Sequence, residues 1–342
     1  MRPAQANSIP AATHGGAAGG IAKGQVSMSD LLREVDKIEI LTLADNFVDM
    51  VAQDNTDMVQ RAMPLDNGYF SKSVAAEHGY SAVITIHDGP KTKNLLYDFG
   101  FSETGVVYNA EVLGVDWGSI EAVALSHGHP DHLGGFSEVA KRLGNIPMVV
   151  HPEAFVSPRY LKTPDGGAIS FAPFTEDQVA QAGLELIKAK DPYPLLDNTA
   201  LFLGQIPRQV SFETGMPAFH KGVGENEVVD TIDDDTSLVF RIKDMGLVVL
   251  AGCAHSGIIN TVKYAAEVTG IDKIYAIMGG FHLSGAFFEP IVDPTIKAMM
   301  EIDPDYLVPT HCTGRQAIMA IEAAMPDKFL LNMSGTKITF GS

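Results

Sequence analysis

The sequence predicts an α/β fold in which buried strands and helices are stacked in layers. Apolar runs of five or six residues, among them Ser237–Ile242 and Gly246–Leu250, are typical of buried strands. A predicted helix, Ile258–Gly270, follows the second of these runs. Histidines stand just past several strands, and in layered α/β folds the ligands of a site collect at strand ends.

The composition indicates a folded, soluble protein, because 46% of the 342 residues are hydrophobic and 19% are charged. The formal net charge of −18 repels phosphate backbones, so nucleic acid is not expected as a partner. No run of about eighteen apolar residues is present, so neither a membrane-spanning helix nor a membrane partner is expected. Two cysteines are too few for a disulfide scaffold and predict a reduced, cytoplasmic protein. The oligomeric state is left open.

Residues 1–27 are predicted to be a disordered tail, because Ala and Gly dominate and the apolar stretch of a secretory signal is missing. Residues 28–342 are predicted to form a single domain. Recurring prolines predict an irregular insertion around 152–200, over the edge of a sheet or the mouth of a site.

Local patterns predict the elements of the first half. Two apolar or β-branched runs, Ser81–Ile86 and Asn94–Gly100, are joined by His87–Lys91, whose Gly and Pro favour a hairpin. Ser29 can cap a short helix over Met28–Asp36. The other predicted elements are the strands Ile38–Leu43, Glu121–Leu125 and Pro147–His151 and the helices Thr104–Gly114 and Asp131–Gly144.

The segment Ser126–Gly135 is the centre of the predicted site. It contains His127, His129, Asp131 and His132 directly after a predicted buried strand. Imidazole and carboxylate groups are ligands of zinc, manganese and iron. A glycine and a proline between them keep the segment out of a helix, so several ligating side chains are expected to turn toward one point.

Three later strands each carry a histidine just past their ends: His255, His282 and His311. A buried structural role is plausible for any one of them, but three in succession indicate that the second half of the chain completes the site. Two glycines precede His282, and their backbone N–H groups are expected to approach an anion. His282 is therefore a candidate for substrate binding or general acid catalysis, with packing as the alternative.

Several other polar residues have two interpretations. Asp98 ends a predicted strand and is either a carboxylate that orients a ligating histidine or a turn former. Asp45 and Asn46 are interpreted as the start of a loop rather than as part of the site. One carboxylate of the run 233–235 is placed to reach the metals, although acidic loops are common in so acidic a chain.

Thr313 and Arg315 lie at the start of the last long predicted helix, Gln316–Met325. Thr313 can cap this helix, and a helix N-terminus with an arginine suits a phosphate or carboxylate. Both residues are therefore candidates for substrate binding, with plain capping as the alternative.

The pattern His127-x-His129-x-Asp131-His132 after a strand, with later histidines at strand ends, resembles the metallo-β-lactamase-fold hydrolase superfamily. Three later motifs resemble the branch named for 7,8-dihydropterin-6-methyl-4-(β-D-ribofuranosyl)aminobenzene-5′-phosphate synthase: Gly252–Gly257, Gly279–Leu283 and Thr310–Gly314. The similarity covers about residues 38–341. The similarity does not identify the substrate, because proteins with this fold catalyse many different reactions.

The resemblance implies an αββα four-layer sandwich with two divalent metal ions between the sheets. Zinc is expected first, with manganese or iron as alternatives. By this resemblance the first metal is held by His127 and His129, and the second by Asp131, His132 and His311.

The chain departs from the superfamily pattern after Leu250. The Gly-Asp dipeptide expected there, with a bridging aspartate, is replaced by Gly252-Cys253-Ala254-His255. Either His255 or Cys253 is left to fill the open position. His255 is preferred, since Cys253 can equally be a small buried residue behind it.

Two divalent cations lower the pKa of a bridging water, which gives a metal-bound hydroxide near neutral pH, and they polarise the oxygen under attack. The leading hypothesis is a hydrolase that acts on a phosphoester or another anionic ester or lactone, with Asp131 and His282 as catalytic residues. The branch implies a transferase that joins a dihydropterin methyl diphosphate to 4-(β-D-ribofuranosyl)aminobenzene 5′-phosphate. A non-catalytic or redox metal-binding protein is the third hypothesis. A small anionic substrate is the expected partner.

Overall fold

The computed structural model describes residues 31–63, 65–70 and 72–342, so the predicted tail lies outside the described residues. The strands up to residue 170 are β1 (Glu34–Val35), β2 (Lys37–Ala44), β3 (Val59–Gln60), β4 (Leu65–Asp66), β5 (Tyr69–Phe70), β6 (Ser81–Asp88), β7 (Lys91–Tyr97), β8 (Ile120–Ala124), β9 (Pro147–Val150), β10 (Arg159–Lys162) and β11 (Ala168–Ser170). The later strands are β12 (Glu185–Lys188), β13 (Tyr193–Leu195), β14 (Ala200–Phe202), β15 (Phe219–Lys221), β16 (Val228–Val229), β17 (Ser237–Ile242), β18 (Gly246–Ala251), β19 (Ile274–Gly280), β20 (Tyr306–Thr310) and β21 (Lys337–Gly341). The α-helices are α1 (Gly105–Leu113), α2 (Pro130–Leu133), α3 (Phe136–Ala140), α4 (Glu176–Gln181), α5 (Ile258–Thr269), α6 (Glu289–Ile302) and α7 (Arg315–Ala324).

Two large sheets form the centre of the fold. One has the strand order β12-β9-β8-β7-β6-β2-β21-β3, and the other has the order β13-β14-β17-β18-β19-β20, with β1 also paired to β17. Strands β7, β8 and β9 run parallel in the first sheet, as do β18, β19 and β20 in the second. The carboxyl ends of parallel strands lie at one edge, and the loops with the predicted ligands leave from these ends.

The core lies between the two sheets and is filled by large apolar side chains. Phe202, Phe240 and Phe340, from strands of both sheets, are fully buried there. A second apolar cluster packs α5, α6 and α7 on the outer face of the second sheet. A third packs α1, α3 and α4 on the outer face of the first sheet. The layers therefore follow the predicted order α/β/β/α, because each sheet buries both of its faces.

A smaller sheet, β11-β10-β15-β16, forms one wall of the site. Phe171 follows β11 and Phe219 lies in β15, and their ring centroids are 5.0 Å and 5.1 Å from that of His129. The segment 152–200, where the insertion is predicted, also supplies β12, β13 and β14 to the large sheets. This segment is therefore more regular than its prolines suggest.

Several elements differ from the sequence predictions. The helix predicted over Met28–Asp36 begins outside the described residues, and its described part contains β1 instead. The helix predicted over Asp131–Gly144 is two short helices, α2 and α3, separated at Gly134 and Gly135. Helix α6 is missing from the predictions and contains Pro294, a residue that usually argues against a helix.

Over the described ranges, no helix is both long and apolar enough to cross a bilayer.

Gly134 lies between α2 and α3 and packs against the backbone of Phe101. A Cβ atom at this position would lie 1.6 Å from the carbonyl oxygen of Phe101, so the backbone packs too closely for any side chain. We expect Gly134→Ala to lower the free energy of unfolding by at least about 2 kcal/mol, because part of the backbone must move. Urea denaturation followed by circular dichroism measures this change.

Gly144→Ala is the matched control, since an added Cβ there meets no atom within 4 Å. We expect it to change the free energy of unfolding by less than about 0.5 kcal/mol. Equal stability of the two variants would show that the contact with Phe101 is not a close one.

Candidate metal centre

Loops at the carboxyl ends of β8, β18, β19 and β20 meet between the two large sheets. They bring together side chains from distant parts of the chain, most of them buried. Three groups of donor atoms there each lie within 4.8 Å of one another: His127, His129 and His255; Asp131, His132, Cys253 and His311; and Cys253, His255 and His282. Every predicted metal ligand is therefore present in one of these groups.

The first group consists of three buried imidazoles. The ring centroid of His127 lies 4.5 Å from that of His129 and 4.8 Å from that of His255. In the described part of the chain, the Nε2 atom of each ring is buried without a hydrogen-bond partner. Burial lowers the pKa of His129 to about 3 and holds the pKa of the other two well below the usual value. Neutral imidazoles that converge with unpaired nitrogens fit a divalent cation such as zinc.

The second group mixes nitrogen, oxygen and sulfur donors. Asp131 Oδ2 lies 3.6 Å from His132 Nε2 and 3.3 Å from His311 Nε2. Burial disfavours the charged form of each group, but the imidazoles hold the pKa of Asp131 well below its usual value. Against the same burial, Asp131 and Asp98 raise the pKa of His132 to about 9. The surroundings of this group therefore stabilise positive charge, and its donors fit a second divalent cation.

Asp98 orients His132 of the second group through a contact with the ring nitrogen that faces away from the other donors. Its Oδ1 accepts a hydrogen bond from the backbone N–H of Ser126 at 2.7 Å, and its Oδ2 lies 2.6 Å from His132 Nδ1. Ser126 Oγ also donates to Asp98 Oδ2 at 2.7 Å and lies 3.0 Å from His127 Nδ1. An Nδ1–H of His132 that donates to Asp98 leaves Nε2 facing the other donors. Asp98 thus orients a histidine, and its φ of 59° shows that it turns the chain as well.

Asp45 and Asn46 hold His311 in the same way. Asp45 is buried and accepts hydrogen bonds from the backbone N–H of His311 at 3.0 Å and from the hydroxyl of Thr310. Asn46 Oδ1 lies 3.1 Å from His311 Nδ1. The interpretation of Asp45 and Asn46 as a plain loop start is therefore wrong. The only local signal was a polar pair at the end of a strand, which is common in loops.

The acidic run 233–235 supports loops of the site, and none of its carboxylates belongs to a donor group found among the described residues. Asp234 Oδ2 accepts a hydrogen bond from the backbone N–H of Gly128 at 2.7 Å, and Asp235 Oδ2 accepts one from Ser256 at 2.8 Å. Arg159 is buried and hydrogen-bonds Asp234 at 2.9 Å. Burial opposes the charge on Asp234, but Arg159 lowers its pKa to about 2. The sequence predictions missed Arg159, since no local pattern links it to residues so far along the chain.

The glycines before His282 serve packing rather than anion binding. A Cβ on Gly279 would lie 2.0 Å from the carbonyl oxygen of Ala251. The N–H of Gly280 donates to the carbonyl of Gly252 at 3.1 Å, so this N–H is not free for an anion, contrary to expectation.

Thr313 lies behind the site and does not cap α7. Its hydroxyl accepts a hydrogen bond from the N–H of Phe281 at 2.9 Å, and its side chain is fully buried. The N-cap residue of α7 is Gly314, which has no side-chain bond. Capping, the alternative role for Thr313, is therefore not found; Thr313 instead fixes the loop that carries His282 and is not among the residues that line the cavity over the donor groups.

An open cavity of about 570 Å³ lies over the two groups of donors. Its base includes His129, Asp131 and His311, and the aromatic side chains of Phe171 and Phe219 line one side. Its other polar lining residues include Arg315, which is exposed. They also include His78, whose Nε2 lies 3.9 Å from Asp131 Oδ2, and half-buried His282, whose ring centroid is 4.0 Å from that of His255. The volume suits a small molecule.

The family model of the metallo-β-lactamase superfamily matches residues 76–228, which include Asp98 and the His127–His132 motif. With the αββα layers, this match shows that the chain has the metallo-β-lactamase fold.

Among curated proteins, the chain is 28% identical to 7,8-dihydropterin-6-methyl-4-(β-D-ribofuranosyl)-aminobenzene-5′-phosphate synthase of Methanocaldococcus jannaschii, over 83% of this chain and 90% of that protein. An uncharacterized protein of the same organism is 29% identical over 74% of this chain and 90% of that protein. A crystal structure described as a metal-dependent hydrolase of the β-lactamase superfamily matches with a TM-score of 0.65 and 24% identity. The match covers 89% of this chain and all of that one, and it shows the same fold.

Arg159 provides a test of how the loop with His127 is held. Replacing Arg159 with Met leaves Asp234 buried without its cation, and leaves Asp230 only the Nζ of Lys221 at 3.6 Å. We therefore expect the free energy of unfolding at pH 7 to fall by about 3–5 kcal/mol. In the wild type, the lowered pKa of Asp234 stabilises the fold above pH 3.8, and this contribution is lost as the pH falls through about 2. The difference in the free energy of unfolding between variant and wild type should therefore become smaller in acid, because the unpaired carboxylates of the variant bind protons.

Denaturant titrations at several pH values measure this difference. Arg142→Met is the matched control, because Arg142 pairs with Glu111 and Glu138 at the surface and should contribute less than about 1 kcal/mol. Two results would contradict this role of Arg159: an equal loss of unfolding free energy in both variants, or a difference from the wild type that becomes larger in acid.

Proposed function

We propose that the protein is a metal-dependent hydrolase that cleaves a phosphoester or another anionic ester or lactone. The observation that carries this proposal is the convergence of two adjacent donor groups beneath an open cavity. Divalent cations held by these groups would lower the pKa of a water molecule and polarise the bond under attack.

The ligands follow from the grouping of the donor atoms. The first cation is assigned to His127, His129 and His255, whose Nε2 atoms converge. The second is assigned to Asp131, His132 and His311. Donor sets rich in imidazole suit zinc, with manganese and iron as the alternatives.

The side chains around the cavity support a small anionic substrate. Arg315 is an exposed cation at the rim, in a chain whose net charge of −18 otherwise repels anions. Phe171 and Phe219 offer a surface for an apolar or aromatic part of the substrate. His282 is assigned as the proton donor to the leaving group, and the half-buried carboxylate of Asp131 orients the attacking water.

The second candidate function is the transferase reaction that joins a dihydropterin methyl diphosphate to 4-(β-D-ribofuranosyl)aminobenzene 5′-phosphate. The 28% identity to the synthase, which extends over 90% of that protein, favours it. The same centre would then bind the diphosphate leaving group, and the cavity would exclude water in favour of the amine.

We expect protein purified without chelator to hold two divalent ions per chain and to hydrolyse at least one compound in a panel of phosphoesters, lactones and thioesters. His129→Ala should lower that activity at least about 100-fold and reduce the bound metal, because a ligand is lost. Elemental analysis and initial rates measure both quantities.

His87→Ala is the control variant, since His87 lies at the end of β6 and is near Glu39 rather than the centre. Full activity and full metal content in His129→Ala would overturn the proposal. Release of diphosphate only when both pterin and aminobenzene substrates are present, with no hydrolysis of any panel compound, would favour the transferase.

A further inference from the structure

Cys253 lies between the two groups of candidate ligands. Its Sγ atom lies 3.1 Å from His132 Nε2. It belongs both to the group with Asp131 and His311 and to the group with His255 and His282. The side chain has an exposed fraction of 1%, so the thiol faces other donors rather than solvent.

The backbone conformation next to Cys253 explains why its side chain points toward His132. Ala254 has a φ of 50°, a left-handed conformation, and stands between Cys253 and His255. In an extended strand, residues two apart would point to the same side. The turn at Ala254 instead brings Cys253 to His132, while His255 lies against His127 and His129.

We propose that Cys253 binds the second metal as a thiolate, together with Asp131, His132 and His311. This inference rests on the proposed metal centre but not on the reaction that the centre catalyses. On binding, the thiol loses its proton to solvent, and the thiolate and Asp131 together balance the charge of a divalent cation.

The spacing of the donors is close to that around one shared tetrahedral cation, with two separations inside the expected range and the sulfur–nitrogen separation slightly below it. Zinc–nitrogen and zinc–sulfur bonds of about 2.0–2.3 Å place neighbouring donors about 3.3–3.6 Å apart. The separations here are 3.1 Å from Cys253 Sγ to His132 Nε2, and 3.6 Å and 3.3 Å from Asp131 Oδ2 to the nitrogens of His132 and His311. Four donors of these types are common at zinc sites, and a thiolate disfavours magnesium and calcium.

Cys312 provides a matched control. Its Sγ donates to the carbonyl oxygen of Cys253 at 3.5 Å, and it belongs to none of the donor groups found among the described residues. Both cysteines are buried, so a substitution by serine changes a similar environment in each case.

The test uses full-length protein freed of metal with a chelator and then titrated with Co²⁺. A cobalt–thiolate pair gives a charge-transfer band in the near ultraviolet, which nitrogen and oxygen ligands do not give. We expect the band in the wild type and in Cys312→Ser and its loss in Cys253→Ser, with tightly bound cobalt falling from two ions per chain to one. Circular dichroism checks that each variant is folded.

X-ray absorption at the zinc edge of the wild type tests the same inference without any variant. We expect one sulfur for every two zinc ions. A spectrum with no sulfur, a cobalt band that persists in Cys253→Ser, or a band lost in Cys312→Ser would overturn the inference. A cobalt protein with the band but with no hydrolysis of the panel would leave this inference intact and contradict the proposed hydrolase.

Discussion

The burial of His127, His129 and His255 side by side is the constraint on which the rest of the site depends. Each imidazole is buried away from solvent, and its Nε2 has no hydrogen-bond partner among the described residues. A buried polar atom without a partner costs about 1–3 kcal/mol. A cation shared by the three nitrogens would remove this cost, so binding a metal there would also stabilise the fold.

Around this centre, a carboxylate holds each loop that carries an assigned metal ligand. None of these four carboxylates is itself assigned as a ligand. Asp98 holds His132, Asp45 holds His311, Asp234 holds the loop of His127 and His129, and Asp235 holds the loop of His255. Hydrogen bonds of this kind fix the direction of each imidazole before a metal arrives. The donor atoms are then preorganised, and less binding energy is spent on ordering them.

The sequence predicted the layered fold and the side chains that meet in the donor groups, because both leave local patterns. Apolar runs mark β8, β17 and β18, and histidines follow directly at strand ends. The supporting residues leave no such pattern. Asp45 and Arg159 act through contacts with residues far along the chain, and the need for glycine at position 134 depends on the carbonyl of Phe101. The roles of His255 and Cys253 also depend on the backbone conformation, since the left-handed Ala254 brings Cys253 against His132 and His255 against His127 and His129.

The most direct test of the account is a crystal structure of the protein grown with zinc, with anomalous diffraction measured at the zinc absorption edge. The account predicts two anomalous peaks a few ångströms apart, one in contact with His127, His129 and His255 and the other with Asp131, His132 and His311. The absence of any peak between these side chains, or zinc bound only elsewhere on the surface, would contradict it.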